Sequence, residues 1–381
     1  MFRWHNQAQV FDGTGRAFGP VSQAPALIDE RPAGLAVAQA FAAGAFRVGG
    51  EGPAPTGGFE TLTSGSSGSP RRIRRSSESW NRSFAVNAGL FGIGPGVKVA
   101  VLGRMTQSLA LYGALEAVHL GADLHLLDGL RPDRQAKALR GMDLVYATPA
   151  QMRGLVEAGV LWPALRHVVI GGAKLDPVLR AALTTQAPGA AIHEFYGAAE
   201  TSFITLAGSD SPEDSVGTAY PGVDLVVDAA EGQVGEVWVK SPYLFDGYAG
   251  AGPGAARWQE GYLSVGEMGR LVDGHLYLAG RAGRMVTVAD QNVFPEEIEL
   301  FVQGWPGIRR VAVLPVVDPR RGVHLVAVVQ GDAGLDGALM AALRARLGPL
   351  CAPKRLIWRQ DWPELPSGKT DLHQLAAEVA G

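Results

Sequence analysis

The stretch Thr61-Leu62-Thr63-Ser64-Gly65-Ser66-Ser67-Gly68-Ser69-Pro70, followed by Arg71, Arg72, Ile73, Arg74 and Arg75, sets hydroxyls and glycine-exposed N–H groups beside guanidiniums. That combination can wrap and neutralise a polyphosphate. It does not read GxxxxGK[ST], which excludes a Walker-type loop. A Ser/Gly linker beside a solvated basic run has the same composition, and the lack of interleaved aromatics argues against a nucleic-acid patch. Downstream, Tyr196-Gly197-Ala198-Ala199-Glu200 offers a ring that can stack on a base and a carboxylate that can hold magnesium, a cation that usually bridges to substrate phosphate. His193 and Glu194 make no zinc pair, because HExxH fails at Gly197. The plain alternative is a strand end with one exposed acid. Glu267, just past Gly266, can accept both hydroxyl protons of a ribose or be a turn acid. Lys369, in Leu365-Pro366-Ser367-Gly368-Lys369-Thr370, can reach a phosphoryl or carboxyl oxygen or stay solvated.

These groups need a scaffold, and the 381 residues suffice for two or three domains. Hydrophobic residues at 47% against 19% charged supply a core and exclude a disordered chain. A net charge of -3 gives no global basic field for nucleic acid. Cys351, the one cysteine, cannot close an internal disulfide or build a structural zinc site alone. The first residues lack a signal-peptide pattern. The most apolar stretch, Ser108 to Leu127, carries Glu116, His119 and Asp123, so no membrane span is expected. A soluble, cytoplasmic protein is the reading.

Residues 1 to about 57 are the least patterned, with one short helix expected over Leu35 to Phe46. A helix is predicted over Ser76 to Leu90. Apolar runs at Val97 to Leu102, Leu124 to Leu127, Leu144 to Ala147 and Leu165 to Ile170 then alternate with helix patterns at Leu109 to Leu120, Pro132 to Leu139, Ala150 to Ala158 and Asp176 to Leu183. This rhythm predicts an α/β fold with a mainly parallel sheet, whose sites lie at the carboxyl ends of the strands. Gly171-Gly172 and Tyr196-Gly197 fall at such ends. Short strands over about 217–280 suggest a small barrel-like subdomain. The expected division is a large N-terminal domain, 1–280, and a small, mobile α+β domain, 281–381.

As an ordered set, the hydroxyl/Gly loop, Tyr-Gly-x-x-Glu, the acid after Gly266, Gly280-Arg281, Pro295-Glu296-Glu297-Ile298-Glu299 and Gly368-Lys369 resemble the adenylate-forming superfamily of acyl-CoA synthetases, aryl-acid ligases and peptide-synthetase adenylation domains. The resemblance spans about residues 59 to 375. It implies that Thr63, Ser64, Gly65, Ser66, Ser67, Gly68 and Arg71 cradle the phosphates of ATP, and that Gly171 and Gly172 lie near adenine and the acyl group. Tyr196 and Gly197 would face adenine, Glu200 would hold Mg2+, and Glu267 would bind the ribose where the family has Asp. Arg281 matches the Arg at the interdomain junction, and Lys369 the lysine that assists acyl-adenylate formation.

The implied reaction is attack of a carboxylic acid on the α-phosphorus of ATP, release of pyrophosphate, and acyl transfer to CoA. A carrier-protein phosphopantetheine thiol (an acyl carrier protein) or an amine is the alternative acceptor, and a noncatalytic nucleotide-binding subunit is the rival class; a homodimer stays open. Several departures bear on this. Only 60 residues precede Thr61, fewer than the family pattern, so part of the first subdomain is expected to be absent or replaced. Gln107 stands where many members have a gating His, and Ala199 replaces a Thr, leaving Thr201 as a substitute hydroxyl. Gly283 stands where a hinge Asp or Lys is frequent. Ala289-Asp290-Gln291 replaces a glycine-rich turn, a steric cost of about 1 to 2 kcal/mol if φ > 0 is needed. The acyl pocket is expected between Leu102 and Tyr112 and around Ile170 to Glu200, where Gly, Ala and Leu would leave room for a medium acyl or aryl group.

Overall fold

A computed structural model describes the chain except residues 51, 64–70, 213, 251–255, 289, 319–321, 333, 366–369 and 381. Its centre is a run of parallel strands in the order Ala191–Ala198, His167–Ile170, Leu144–Ala147, Lys98–Val101, Asp123–Leu126 and Val10–Asp12. Leu144–Ala147 is buried along its whole length, as a strand covered by helices on both faces must be. The helices Ser108–Leu120, Pro132–Ala138, Pro149–Val156 and Pro177–Gln186 alternate with these strands, each within a few residues of the predicted bounds. Local side-chain caps start two of them. Thr148 and Gln151 form a reciprocal capping box, and the Asp176 carboxylate accepts the Leu179 N–H.

Beyond Ala191–Ala198 the sheet turns antiparallel. Ser202–Ala207 pairs back on it, and Thr218–Ala219 carries the sheet on to His275–Arg281, Glu267–Val272 and Gly235–Lys240. Apart from Gly247–Tyr248, the short strands of the 217–280 stretch are therefore continuous with the large sheet. A second sheet has the order Gly247–Tyr248, Arg72–Arg75, Phe59–Leu62, Phe46–Val48 and Leu27–Ile28. Near the C-terminus, Ile308–Asp318, Gly322–Gly331 and Leu356–Trp358 form a three-stranded sheet with helices Pro295–Gln303, Asp336–Cys351 and Leu372–Ala380 around it. Val313, Val329, Leu339 and Leu343 belong to a hydrophobic cluster of their own there.

The N-terminal segment differs most from its expected lack of pattern. Its helix is Ala33–Ala42, and Phe46 lies in a strand instead of the helix predicted to end there. Val10–Asp12 extends the parallel sheet, while Phe2 packs among Phe41, Phe46, Phe59 and Phe84. These contacts join residues far apart in sequence, and no local period announces them.

One buried network lies behind the central strands. Glu116 is fully buried and, among the described residues, accepts hydrogen bonds from Asn87 (2.8 Å), Tyr112 (3.2 Å) and Tyr146. Tyr220 in turn donates to Asn87 Oδ1 at 2.7 Å. Burial pushes the Glu116 carboxyl up to about 8, outweighing the bonds that would lower it. Because the folded value lies above the ordinary 4.5, the folded state holds a proton that the unfolded state has lost between those two values. This group therefore makes stability fall as pH rises through that window, by at most about 1.4 kcal/mol per pH unit. Urea unfolding at pH 5.5 and 7.5 should show the decline in the wild type and a flatter dependence in Glu116→Gln; parallel profiles would refute the assignment.

Candidate active site

Two strands of the second sheet flank residues 64–70, so the candidate phosphate loop itself, Ser64, Gly65, Ser66, Ser67 and Gly68, lies outside the described residues. Its closing pair is described. Thr63 N–H donates to the Arg71 carbonyl at 2.8 Å, and Arg71 N–H donates to Thr63 Oγ1 at 2.9 Å. The Arg71 guanidinium stands 5.8 Å from the Tyr248 ring centre. Tyr248 in turn donates its hydroxyl to Glu200 Oε1 at 2.9 Å. Arg71, Tyr248 and Glu200 thus form one cluster. Burial and the Glu200 charge push the Tyr248 phenol up to about 12, so it stays a donor at neutral pH.

Arg75 has a different role from that of a solvated basic run. It is fully buried, donating to the Ala199 carbonyl through Nε (3.1 Å) and Nη2 (2.5 Å) and to the Tyr243 carbonyl through Nη1 (2.7 Å). Burial lowers its pKa to about 10, opposed by the charges of Glu200 and Asp246. The guanidinium therefore fixes the backbone next to Glu200 from beneath. Thr201, the expected substitute for the missing Thr, spends its hydroxyl on the turn: its Oγ1 accepts the Ala198 N–H at 2.9 Å. Gly197 is required by space, since a Cβ there would lie 1.8 Å from the Ser202 carbonyl oxygen.

A second cluster is adjacent in the chain. Glu267 and Arg281 face each other across paired strands, and Arg281 Nε donates to Glu267 Oε1 at 2.9 Å. Tyr196 lies close enough that, after burial, the Glu267 charge is the next cause holding its phenol well above the ordinary value. The Arg281 N–H reaches Glu296 Oε1 at 3.4 Å, linking this cluster to helix Pro295–Gln303. Burial pushes the Glu296 carboxyl up. Lys369 lies outside the described residues.

The glycines expected to leave acyl space are roofed by larger groups. A Cβ at Gly171 would come within 2.1 Å of the Phe195 ring, and one at Gly103 within 2.6 Å of Gln107 Oε1. Phe195 continues into a row of rings through Phe203 and Tyr112. At Gly171 the missing side chain admits an aromatic ring, and at Gly103 it admits the Gln107 amide. Gly172 adopts φ +89°, a conformation suited to glycine. Near the altered turn Ala289-Asp290-Gln291, Asp290 does take a left-handed φ of 61°, while Gln291 Oε1 accepts from the Cys351 thiol at 3.1 Å. Residue 289 is outside the described residues.

Magnesium suits this donor set in kind: Glu200 offers carboxylate oxygen beside a candidate polyphosphate loop, and that cation is commonly held by one or two carboxylates plus substrate phosphate. Among the described residues no group of three or more His, Cys, Asp or Glu could hold a metal unaided.

A parallel sheet whose strands end at Gly171-Gly172 and Tyr196-Gly197, with the Glu267–Arg281 pair beside the tyrosine, is the fold of the adenylate-forming class. Residues 61–249 match the AMP-binding enzyme family, and the chain belongs to it. It is 30% identical over 324 residues to YhfT of Bacillus subtilis strain 168, described as an uncharacterized acyl-CoA ligase, covering 81% of this chain and 66% of that protein. A 2-succinylbenzoate–CoA ligase of Lactococcus lactis is 29% identical over 212 residues, 54% of this chain and 45% of that protein. The chain spans about two thirds of the length of the first curated relatives it matches. Among solved structures, the amide bond synthetase McbA of Marinactinospora thermotolerans superposes with a TM-score of 0.75 at 25% identity, covering 93% of this chain and 79% of that one. The o-succinylbenzoate CoA synthetase MenE of Bacillus subtilis, in complex with ATP and magnesium, shares the fold with a TM-score of 0.72 at 20% identity, covering 83% of this chain and 69% of that one. No helix among the described residues is long and apolar enough to cross a membrane.

Proposed function

We propose that the protein activates a carboxylic acid with ATP, forming an acyl-adenylate and pyrophosphate, and then passes the acyl group to CoA. The observation that carries this reading is the meeting of Arg71, Tyr248 and Glu200 next to the loop hairpin, four residues along the chain from Tyr196 and its partners Glu267 and Arg281. Thr63, Ser64, Gly65, Ser66, Ser67, Gly68 and Arg71 bind the β- and γ-phosphates. Tyr196, Gly197 and Gly172 form the adenine wall, Gly171 lies at the acyl side, and Glu267 accepts from the ribose. Glu200 would hold magnesium, which supplies charge screening of the phosphates when bound. Lys369, on a mobile unit comprising 281–381, meets the charge that develops on the reacting carboxylate and α-phosphate. Positioning and charge neutralisation lower the barrier, with no protein nucleophile.

The likeness to an amide bond synthetase and the substituted turn around Asp290 favour one second reading, transfer of the acyl group to an amine; an acyl carrier protein thiol is tested in the same assay. Acid-dependent exchange of pyrophosphate into ATP across a panel of aliphatic and aryl acids tests the first half-reaction. Consumption of the adenylate with CoA, a carrier protein or an amine sorts the second. Folded, ATP-binding protein that exchanges with no acid would leave only the noncatalytic reading. Glu267→Gln should lower ATP use about 10 to 150-fold, the loss of charge-assisted hydrogen bonds of roughly 1.5 to 3 kcal/mol, with Glu267→Asp retaining activity. Equal steady-state kinetics for the wild type and the Gln variant would remove Glu267 from the ribose site.

A further inference from the structure

The strand Arg72–Arg75 has two faces. Period-two alternation turns Ile73 and the buried Arg75 inward and Arg72 and Arg74 to the other side. On that other side the register places Arg47, Glu60, Arg74 and Gly247 in one row across four adjacent strands. Glu60 is the carboxylate of the row, and three guanidiniums converge on it: Arg47 at 3.1 Å, Arg72 at 3.4 Å and Arg74 at 3.4 Å. The Arg47 side chain is fully buried and further tied to the carbonyls of Gly49, Gly52 and Pro53. Arg72 and Arg74 retain 20% and 44% of their side-chain exposure. Among the described residues Glu60 is the one carboxylate paired with these three guanidiniums, which leaves a surplus of positive charge there in a partly water-excluded setting, where it is screened less than on an open surface.

The row also ends in space. Gly247 follows Arg74, and a Cβ built on it would meet nothing within 4 Å; one built on Gly250 would meet only Arg72, at 3.7 Å. Among the described residues, open space at Gly247 and Gly250 thus adjoins Arg74 and the less exposed Arg72, which also donates to the Pro53 carbonyl at 3.4 Å, and the planar forks of both match phosphate oxygens. It is not the ATP loop seen twice. Arg71 turns to Tyr248 and Arg75 to Ala199, whereas Arg72 and Arg74 turn to Glu60 on the reverse face of the same hairpin.

We propose that Arg72 and Arg74, braced by Arg47 and Glu60, form a second phosphate-binding subsite, and that it takes the 3′-phosphorylated nucleotide end of CoA. The long flexible pantetheine arm lets that end dock on one face of the hairpin while the thiol reaches the acyl-adenylate on the other. This assignment rests on the CoA reading above. An amine acceptor would have no phosphate to place there.

The test uses the full-length protein with adenosine 3′,5′-bisphosphate as probe, measured by calorimetry without ATP or acid, so that it stands even if no acid substrate is found. Wild type should bind the probe, and Arg74→Gln and Arg72→Gln should each weaken it roughly five- to tenfold, the loss expected when a phosphate gives up one partly solvated guanidinium. Arg82→Gln, which removes a charge paired with Glu78 on a helix surface, should change nothing. In turnover the two row variants should raise KM for CoA while leaving KM for ATP and the rate of pyrophosphate exchange unchanged. Absence of probe binding by the wild type, probe binding unaltered in both variants, or an equal rise in KM for ATP would overturn the subsite; the last would return these arginines to the ATP loop. Probe binding with no CoA thioester formed under any condition would keep the phosphate site and reject CoA as the acceptor.

Discussion

Replacing Lys369 with Ala is expected to slow acyl-adenylate formation at least about 100-fold, while conversion of a ready-made acyl-adenylate by thiol is largely retained. The expectation follows from what a lysine at that point can do. When the acid's carboxylate attacks the α-phosphorus, negative charge builds on both partners before pyrophosphate departs. An ammonium placed there interacts more strongly with the transition state than with the bound substrates, and a 100-fold loss corresponds to roughly 2.7 kcal/mol. In the second step the thiol attacks a carbonyl whose leaving group is already formed, so the same cation has less to offer. Single-turnover measurement of each half-reaction separates the two. A comparable loss in both, in a folded variant that still binds adenylate, would reject the selective role.

A larger effect on the molecule itself is expected at Arg75. Arg75→Met keeps approximate length and removes the charge and every donor, leaving the Ala199 and Tyr243 carbonyls facing an apolar chain. Removing one member of a buried, charged hydrogen-bond set costs about 3 to 5 kcal/mol, a large part of the stability of an ordinary domain. Because Ala199 precedes Glu200, and the Glu200 carbonyl itself accepts the Phe245 N–H at 2.9 Å, the loss should also loosen the carboxylate. Urea titration should show the stability change, and ATP-dependent turnover of the remaining folded protein should fall with a raised magnesium requirement. A variant as stable as the wild type would show that Arg75 is not the anchor described above. Unchanged magnesium dependence in a destabilised variant would confine its role to stability.

How far the sequence alone could lead depended on whether the relevant contacts were periodic. Residues 97–186 were readable because buried parallel strands are short apolar runs and the helices between them carry cap residues such as Thr148 and Asp176. Tyr196–Glu200, Glu267 and Arg281 stood out as separate motifs, but nothing local says that Arg281 closes on Glu267. Nor does anything local say that the Tyr248 hydroxyl meets Glu200. The arginine run was misleading in its simplest reading: five adjacent positions suggest one solvated patch, but a strand sends alternate side chains to opposite faces, so Arg75 became core and Arg74 stayed outside. Applying the two-residue period to Arg72–Arg75 would have recovered that division. That Gln107 and Phe195 stand against Gly103 and Gly171 was not legible, since those neighbours are set by the fold. The N-terminal aromatics were illegible because Phe2 finds its neighbours at Phe46, Phe59 and Phe84, contacts that only the assembled fold creates.

The bond from the Arg281 amide to Glu296 links Glu267 to helix Pro295–Gln303 by way of Arg281, because the same arginine's side chain is held by Glu267. A ribose drawn onto Glu267 must compete with, or rearrange around, that guanidinium, and Arg281 cannot move its side chain and backbone wholly independently. With the ribose bound at Glu267 as proposed, nucleotide affinity and the seating of helix Pro295–Gln303 would share a coupling free energy, and that coupling would be reciprocal: whatever steadied the helix against Arg281 would alter how tightly nucleotide is held, by the same factor that nucleotide alters the helix.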